Sequence, residues 1–380
     1  MRFDGMEYIY ADNAATTELD LDAFEAMKPY LLGEYGNASQ PYAFSRSAKK
    51  ALREARITVA ECIGALPEEI YFTSGGTESD NWAIKGALIN DGGNIVTSQI
   101  EHHAVLRACA ALEGFGHQVI YIPVDTAGIV HPKLLKQLIT NNTQLVSVMM
   151  ANNEIGTIEP IAELARVAHN YGSVFHTDAV QAVGHIPVDV KVLDIDMLSA
   201  SAHKFNGPKG IGFLYIKKGT EIRPYIDGGA QEFGMRAGTE NVAFIVAMAV
   251  ALKKNCVQMQ KTEARLLQIE QTFLSTLAEL EVPFIRNGVR NGIPGNISIS
   301  IKNANGEMLL HRLDLKGICI STGSACDSKH TQISHVIKAI AVPEEYAEGT
   351  VRISFGRDNT IEEAIKVATM IGEILKNSSN

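Results

Sequence analysis

Two hydrophobic rhythms alternate along most of the chain. Short apolar runs bounded by turn residues read as buried strands: Glu69 to Thr73, Asn94 to Ser98, Gln118 to Pro123, Gln144 to Met150 and Ser173 to Thr177. Helix-period segments lie between or before them, over Ser45 to about Ile63 and Asn81 to Leu88. The clearest begins at Pro160, where Ile161, Leu164, Ala165 and Ala168 share one face, with a proline at the start and Gly172 at the stop. Strands alternating with helices predict an α/β fold, a mostly parallel sheet covered by helices.

The pattern changes in the last third. Leu266, Ile269, Phe273 and Leu277 stripe a long amphipathic helix from about Val257 to Leu280. Beyond it, Asn296 to Ile301 and Val351 to Phe355 alternate apolar and polar residues, as half-exposed strands of a smaller α+β unit would. A last helix is expected from about Thr360 to Leu375. The expected division is a large domain over residues 15–256 and a small domain formed by 1–14 and 257–380.

Composition narrows the class. At 380 residues, 46% of them apolar and 20% charged, the chain can bury the core of a sizeable soluble enzyme. A formal charge of −9 and no basic run give nucleic acid nothing to bind. Five scattered cysteines, none in a Cys-x-x-Cys pair, offer neither a disulfide framework nor a metal site and suit a reducing compartment. The first residues lack a signal peptide's apolar core, and the longest apolar run, Val242 to Leu252, is about half of the ~20 residues a span needs. The expectation is a cytoplasmic enzyme with no membrane partner.

In a parallel sheet, ligands bind past the C-terminal ends of strands. Five such ends carry chemistry here. Ser201-Ala-His-Lys204 places a lysine between an apolar strand and a Gly-Pro turn. An amine held out of water there suits Schiff-base chemistry, although a loop lysine with its head in solvent has the same sequence. Ser74-Gly-Gly-Thr-Glu-Ser79 joins a strand to a helix and offers backbone N–H groups to an anion. It is neither a Walker loop nor Gly-x-Gly-x-x-Gly, and an ordinary capped turn has equal claim. Glu101-His102 and Asp178-Ala-Val-Gln181 follow two further strands, and Asn152-Asn-Glu-Ile-Gly156 a third. Singly, His102 reads as a helix cap and Asp178 as an N-cap; together these residues furnish one polar cofactor site.

Taken in order, the motifs resemble the group I cysteine desulfurases of the nitrogen-fixation and housekeeping iron–sulfur types, which are class V, fold-type I pyridoxal-phosphate (PLP) enzymes. The resemblance runs from Asp12-Asn-Ala-Ala-Thr-Thr17 through Ser74–Ser79, His102, Asn152–Gly156, Ser201–Lys204 and Arg236-Ala-Gly-Thr239 to Ser321-Thr-Gly-Ser-Ala-Cys326. It implies that Lys204 carries PLP as a Schiff base and that Asp178 binds the pyridine nitrogen. Gln181 would bond the ring's phenolic oxygen, His102 would stack on the ring and move protons, and Asn153 would touch the ring edge or substrate. Gly76, Thr77, Ser201 and His203 would hold the phosphate, with Thr239 reaching the phosphate of a neighbouring subunit in a homodimer. Arg352, assisted by Asn37, would clamp the carboxylate of L-cysteine. Cys326, in its small-residue loop, would take the sulfur as a persulfide and release alanine, while Cys319 reads as packed core. Family members commonly have Ala at position 76 and Pro at 38, where this chain has Gly76 and Ala38, and housekeeping members usually extend further past the last helix. The sulfur acceptor therefore stays open between an iron–sulfur scaffold and a tRNA-thiolation relay. The alternative activities are another class V PLP enzyme, an aminotransferase or a selenocysteine lyase; a catalytically silent sulfur carrier would be expected to have lost some of Lys204, Asp178 and His102.

Overall fold

A computed structural model describes residues 2–3, 6–89, 92–322 and 333–378. The chain opens with three two-residue strands, β1 (Arg2–Phe3), β2 (Met6–Glu7) and β3 (Ile9–Tyr10), then helices α1 (Leu21–Leu32) and α2 (Arg46–Cys62). The central region follows as β4 (Ile70–Thr73), α3 (Gly76–Gly86), β5 (Asn94–Ser98), α4 (His103–Gly114), β6 (Val119–Ile122), α5 (Pro132–Leu138) and β7 (Thr143–Ser147). It continues with α6 (Ile161–His169), β8 (Val174–Asp178), β9 (Met197–Ser201) and β10 (Gly212–Ile216). The last third holds α7 (Val242–Glu279), β11 (Phe284–Arg286), β12 (Asn296–Ile301), α8 (Gly306–Asp314) and β13 (Ile318–Cys319). It ends with α9 (His335–Ala339), α10 (Glu344–Ala347), β14 (Thr350–Ser354) and α11 (Ile361–Ser378).

Seven strands form the central sheet in the order β4-β10-β9-β8-β7-β5-β6. Five of them, β9 to β6, are parallel neighbours, and β10 runs antiparallel between β9 and β4. Successive residues face opposite cores, as the two-residue period of a strand requires. Val146, Phe175 and Leu198 join the core under α1, α2, α6 and the first half of α7, whereas Leu145, Val174 and Met197 meet Trp82 of α3 and Val105 of α4. With both faces covered, the strands inside the edge strand β6 are almost wholly buried, which is why they read as apolar runs rather than as alternation.

The smaller sheet is antiparallel, in the order β11-β12-β14, and packs on α11 and the second half of α7. β12 and β14 are fully buried rather than half-exposed. The polar positions pair with one another: Asn287 Nδ2 donates to Ser298 Oγ at 3.0 Å and Ser300 Oγ at 2.8 Å, and Ser300 meets Thr350 at 2.7 Å. Satisfied hydroxyls cost little to bury, so alternation here misreports exposure. Phe273, wholly buried against Phe355, is a main side chain of this core, and its truncation to Ala would cost ~3–5 kcal/mol.

Two helices begin earlier than expected. α3 starts at Gly76, inside the glycine turn. α7 starts at Val242, so the apolar run that is too short for a span belongs to a 38-residue helix that is long and apolar enough to cross a membrane. Ala243, Ile245, Ala247, Met248, Ala249, Ala251 and Leu252 instead sit in the large core. A segment buried on nearly every side has no polar face to give it helical rhythm. The same helix then enters the second core through Leu266, Ile269, Phe273 and Leu277.

Candidate active site

The C-terminal ends of β4, β5, β7, β8 and β9 lie on one edge of the sheet, as the parallel order dictates. A cleft of about 570 Å³ opens there, closed from the other side by Ser321 and Arg352 of the smaller sheet region. His102, Asn153, Asp178, Gln181, Ser201, His203, Lys204, Gly76 and Thr77 all line it.

Lys204 ends a short helical turn, Ala202–Lys204, that follows β9 directly. Its Nζ donates to the carbonyls of Ala14 at 2.6 Å and Ala15 at 2.9 Å. Those carbonyls are fixed in turn, because Thr17 N donates to His203 O at 2.9 Å and Gln181 Nε2 to Ala14 O at 2.9 Å. The segment that reads as a plain turn in the sequence, Asp12 to Thr17, is thus the collar of the lysine. His203 Nδ1 lies 3.1 Å from Thr16 Oγ1, and burial, with the Lys204 and Lys209 charges behind it, pushes the imidazole down to about 4.

Beyond β4 the chain turns at Gly75, whose φ of +147° suits a residue without a side chain. At Gly76 a Cβ would come within 2.6 Å of Val180 Cγ2, so any side chain here needs that methyl to shift. The first N–H groups of α3, which have no partner within a helix, therefore face the cleft beside Ser201. Glu78 braces the turn by accepting from Ser74 N at 2.8 Å. Burial works against the Glu78 charge, yet the Arg236 guanidinium, 2.8 Å away, and Ser74 hold its carboxyl below the usual range.

At the floor, Asp178 closes β8 and accepts from Val180 N at 2.9 Å, the N-cap-like role of its sequence. Burial raises its acid, opposed by the nearby His102, the Val180 N–H and Lys204. His102 caps α4 through Nδ1, accepting from Ala104 N at 3.1 Å, and its ring still reaches the cleft. Burial lowers the His102 pKa, against the pull of Asp178. A cap and a site residue are the same residue here.

Arg352, 4% exposed on β14, donates to Asp12 Oδ1 at 2.7 Å and to the Asn153 carbonyl at 2.9 Å, while its Nε has no partner among the described residues. Two expected residues are not brought to this cleft. Asn37 caps its own turn, accepting from Ser39 N at 2.9 Å, and Thr239 lines a separate cleft with Glu240 and Asn241. Cys326 lies outside the described residues. Cys319 is half-buried in β13 beside Tyr10, less enclosed than its apolar run suggested. Sequence reading missed Asp80, Glu78, Lys209 and the Ala14 and Ala15 carbonyls. Glu78 lies within the glycine-turn motif and Asp80 directly after it, and the early start of α3 is what turns them inward.

A mostly parallel sheet with a helix N-terminus, a lysine amine and a buried carboxylate gathered on one edge places the chain among the α/β transferases of fold type I. The class V aminotransferase family model matches residues 9–367. A cysteine desulfurase IscS of Dictyoglomus turgidum is 50% identical over 359 residues, covering 93% of this chain and 91% of that protein. A solved NifS-like protein superposes with a TM-score of 0.92 at 37% identity, covering 98% of this chain and 100% of that one. SspA, solved in complex with cysteine, gives a TM-score of 0.81 at 34% identity over 92% of this chain and 99% of its own. The chain belongs to the class V aminotransferase family, among its cysteine desulfurases. Members of this group are PLP enzymes.

Proposed function

We propose that this chain is a PLP-dependent cysteine desulfurase that converts L-cysteine to L-alanine and takes the sulfur onto Cys326. The observation that carries the reading is the meeting of Lys204, Asp178 and the bare N-terminus of α3 in one cleft. The donor set fits the cofactor. The α3 N–H groups with Thr77, Ser201 and His203 would hold its phosphate, Asp178 its protonated ring nitrogen, Gln181 its phenolic oxygen, His102 its ring face and Lys204 its aldehyde carbon. Bound PLP supplies an electron sink conjugated to the substrate's Cα.

The remaining work falls to the chain's own groups. Arg352 is a fixed guanidinium at the cleft's rim, and its fork suits the substrate carboxylate, which orients the amino acid. Asn153 adds a contact at the same rim. Lys204, collared by Ala14 and Ala15, is the base that takes the Cα proton once its amine is released. His102, lining the same cleft, would relay protons. The Cys326 thiolate attacks the substrate sulfur: an S–S bond forms, the C–S bond breaks with its electron pair left on carbon, and protonation at that carbon together with return of the Cα proton from Lys204 completes alanine. A transaminase needs no such thiol, which favours desulfuration over the related aminotransferase reading.

The same proposal includes two domains meeting at residue 257 of α7, supported by the change of core along that helix. It includes a cytoplasmic homodimer in which Thr239, away from its own cleft, serves the other subunit's phosphate. Exposed Leu31, Leu32, Tyr35, Tyr42 and Phe44 supply an apolar surface for that contact, and sedimentation of a fully active monomer would remove the shared-site claim. The persulfide would pass to an iron–sulfur scaffold or a tRNA-thiolation relay. The activity is tested by adding PLP and L-cysteine to the purified chain and measuring alanine. Stoichiometric PLP uptake with PLP-dependent alanine release is expected; pyruvate and ammonia, or transamination to a keto acid, would reassign it.

A further inference from the structure

We propose that Asp80 is a neutral acid at the base of the cleft, donating toward Asp178 and so keeping Asp178 the carboxylate that meets the cofactor. This rests on the cleft being a PLP site. Asp80, on α3, is 1% exposed and lines the cleft floor. Donor atoms of Asp80, Asp178 and His102 all lie within 4.8 Å of one another, a gap that one water spans between two carboxylates.

Two carboxylates this close in a buried site do not both ionise; they share a proton. The surroundings decide which one holds it. Asp178 accepts the Val180 N–H and is favoured as an anion by His102 and Lys204. Asp80 Oδ1 has no hydrogen-bond partner among the described residues. The nearest basic atom is His176 Nε2 at 3.7 Å, but that ring is held between Ser147 Oγ at 2.9 Å and Ser199 Oγ at 3.0 Å. Burial also pushes His176 down to about 3, so it brings no charge. The groups facing Asp80 are therefore Asp178 and His176 from β8, Ser199 from β9, and Glu101 and His102 before α4. Burial first, then the Asp178 charge, with Glu101 adding to both, drive Asp80 well above the ordinary carboxylate range against the opposing Ser199 hydroxyl. Asp80 acts through Asp178 and is a positioning residue.

The test uses the full-length protein with Asp80→Asn, which keeps a neutral donor of the same shape, and Asp80→Leu, which removes it. PLP affinity is measured by reconstitution, and the thermal midpoint is followed from pH 5 to 8.5 without substrate. Asp80→Asn should keep the PLP Kd within about threefold, and Asp80→Leu should raise it about tenfold or more. Wild type should also lose thermal stability relative to Asp80→Asn as pH rises. The unfolded chain gives up this proton near ~4 while the fold retains it, so each further pH unit favours unfolding until the folded pKa is passed. An Asn variant that loses PLP as badly as Leu would mean that Asp80 is ionised. A Leu variant that binds like wild type, or a flat difference in midpoint across the pH range, would equally overturn the assignment. If wild type bound no PLP, the cofactor reading would fail, and the thermal comparison would still decide the charge of Asp80. If the Leu variant did not fold, the two Asn measurements would decide.

Discussion

Arg352 and Ser321 exchange backbone hydrogen bonds in both directions, Arg352 N to Ser321 O at 2.7 Å and Ser321 N to Arg352 O at 3.0 Å. Ser321 opens the stretch that leads in sequence to Cys326. The proposed carboxylate clamp and the start of the thiol-bearing segment thus sit on one rung, with Asp12 and the Asn153 carbonyl fixing the guanidinium from the far side. In the proposed mechanism, substrate orientation and sulfur acceptance are then referred to a common piece of backbone.

Arg352→Lys should retain the fold and raise the KM for L-cysteine about ten- to a hundredfold, because a point charge replaces a held fork. kcat should fall less. Steady-state alanine release as a function of L-cysteine concentration separates the two constants, and a KM within twofold of wild type would remove Arg352 from carboxylate recognition.

Lys204→Ala should leave PLP bound only non-covalently. Borohydride reduction followed by peptide mapping should place the label on Lys204 in wild type and on no residue in the variant. Lys209 lines the same cleft and is the competitor. A label on Lys209 would transfer the role to it.

The sequence made the sheet legible because its strands are buried on both faces and appear as apolar runs. The strand-end rule points to Lys204, His102 and Asp178, and parallel order brings those ends to one cleft. What stayed hidden depended on contacts distant in sequence. The collar of Lys204 comes from residues about 190 positions away, and a short polar segment gives no sign of which carbonyl it will present. Asp80 was missed because α3 begins at the glycine turn rather than at Asn81, which turns a surface-like acid inward. The first half of α7 was missed because full burial erases the helical stripe, and the serines of β12 looked exposed because their partners, Asn287 and Thr350, cannot be read from alternation.

The central claim is that sulfur leaves L-cysteine for one particular thiol. Of the cysteines outside the Cys326 segment, Cys109 is fully buried, with its thiol pushed up to about 12 by burial and then by Glu101 and Glu113. Cys319 is likewise raised, by burial and then by the charges of Asp314 and Asp12. A raised thiol is a poor source of thiolate. The most direct measurement is mass-spectrometric mapping of protein-bound persulfide after one turnover with L-cysteine, alongside alanine release, for wild type, Cys326→Ala and Cys319→Ala. The account predicts one persulfide on Cys326, loss of alanine release in Cys326→Ala with PLP still bound, and near wild-type turnover in Cys319→Ala. Persulfide on Cys319, or undiminished alanine release from Cys326→Ala, would contradict it.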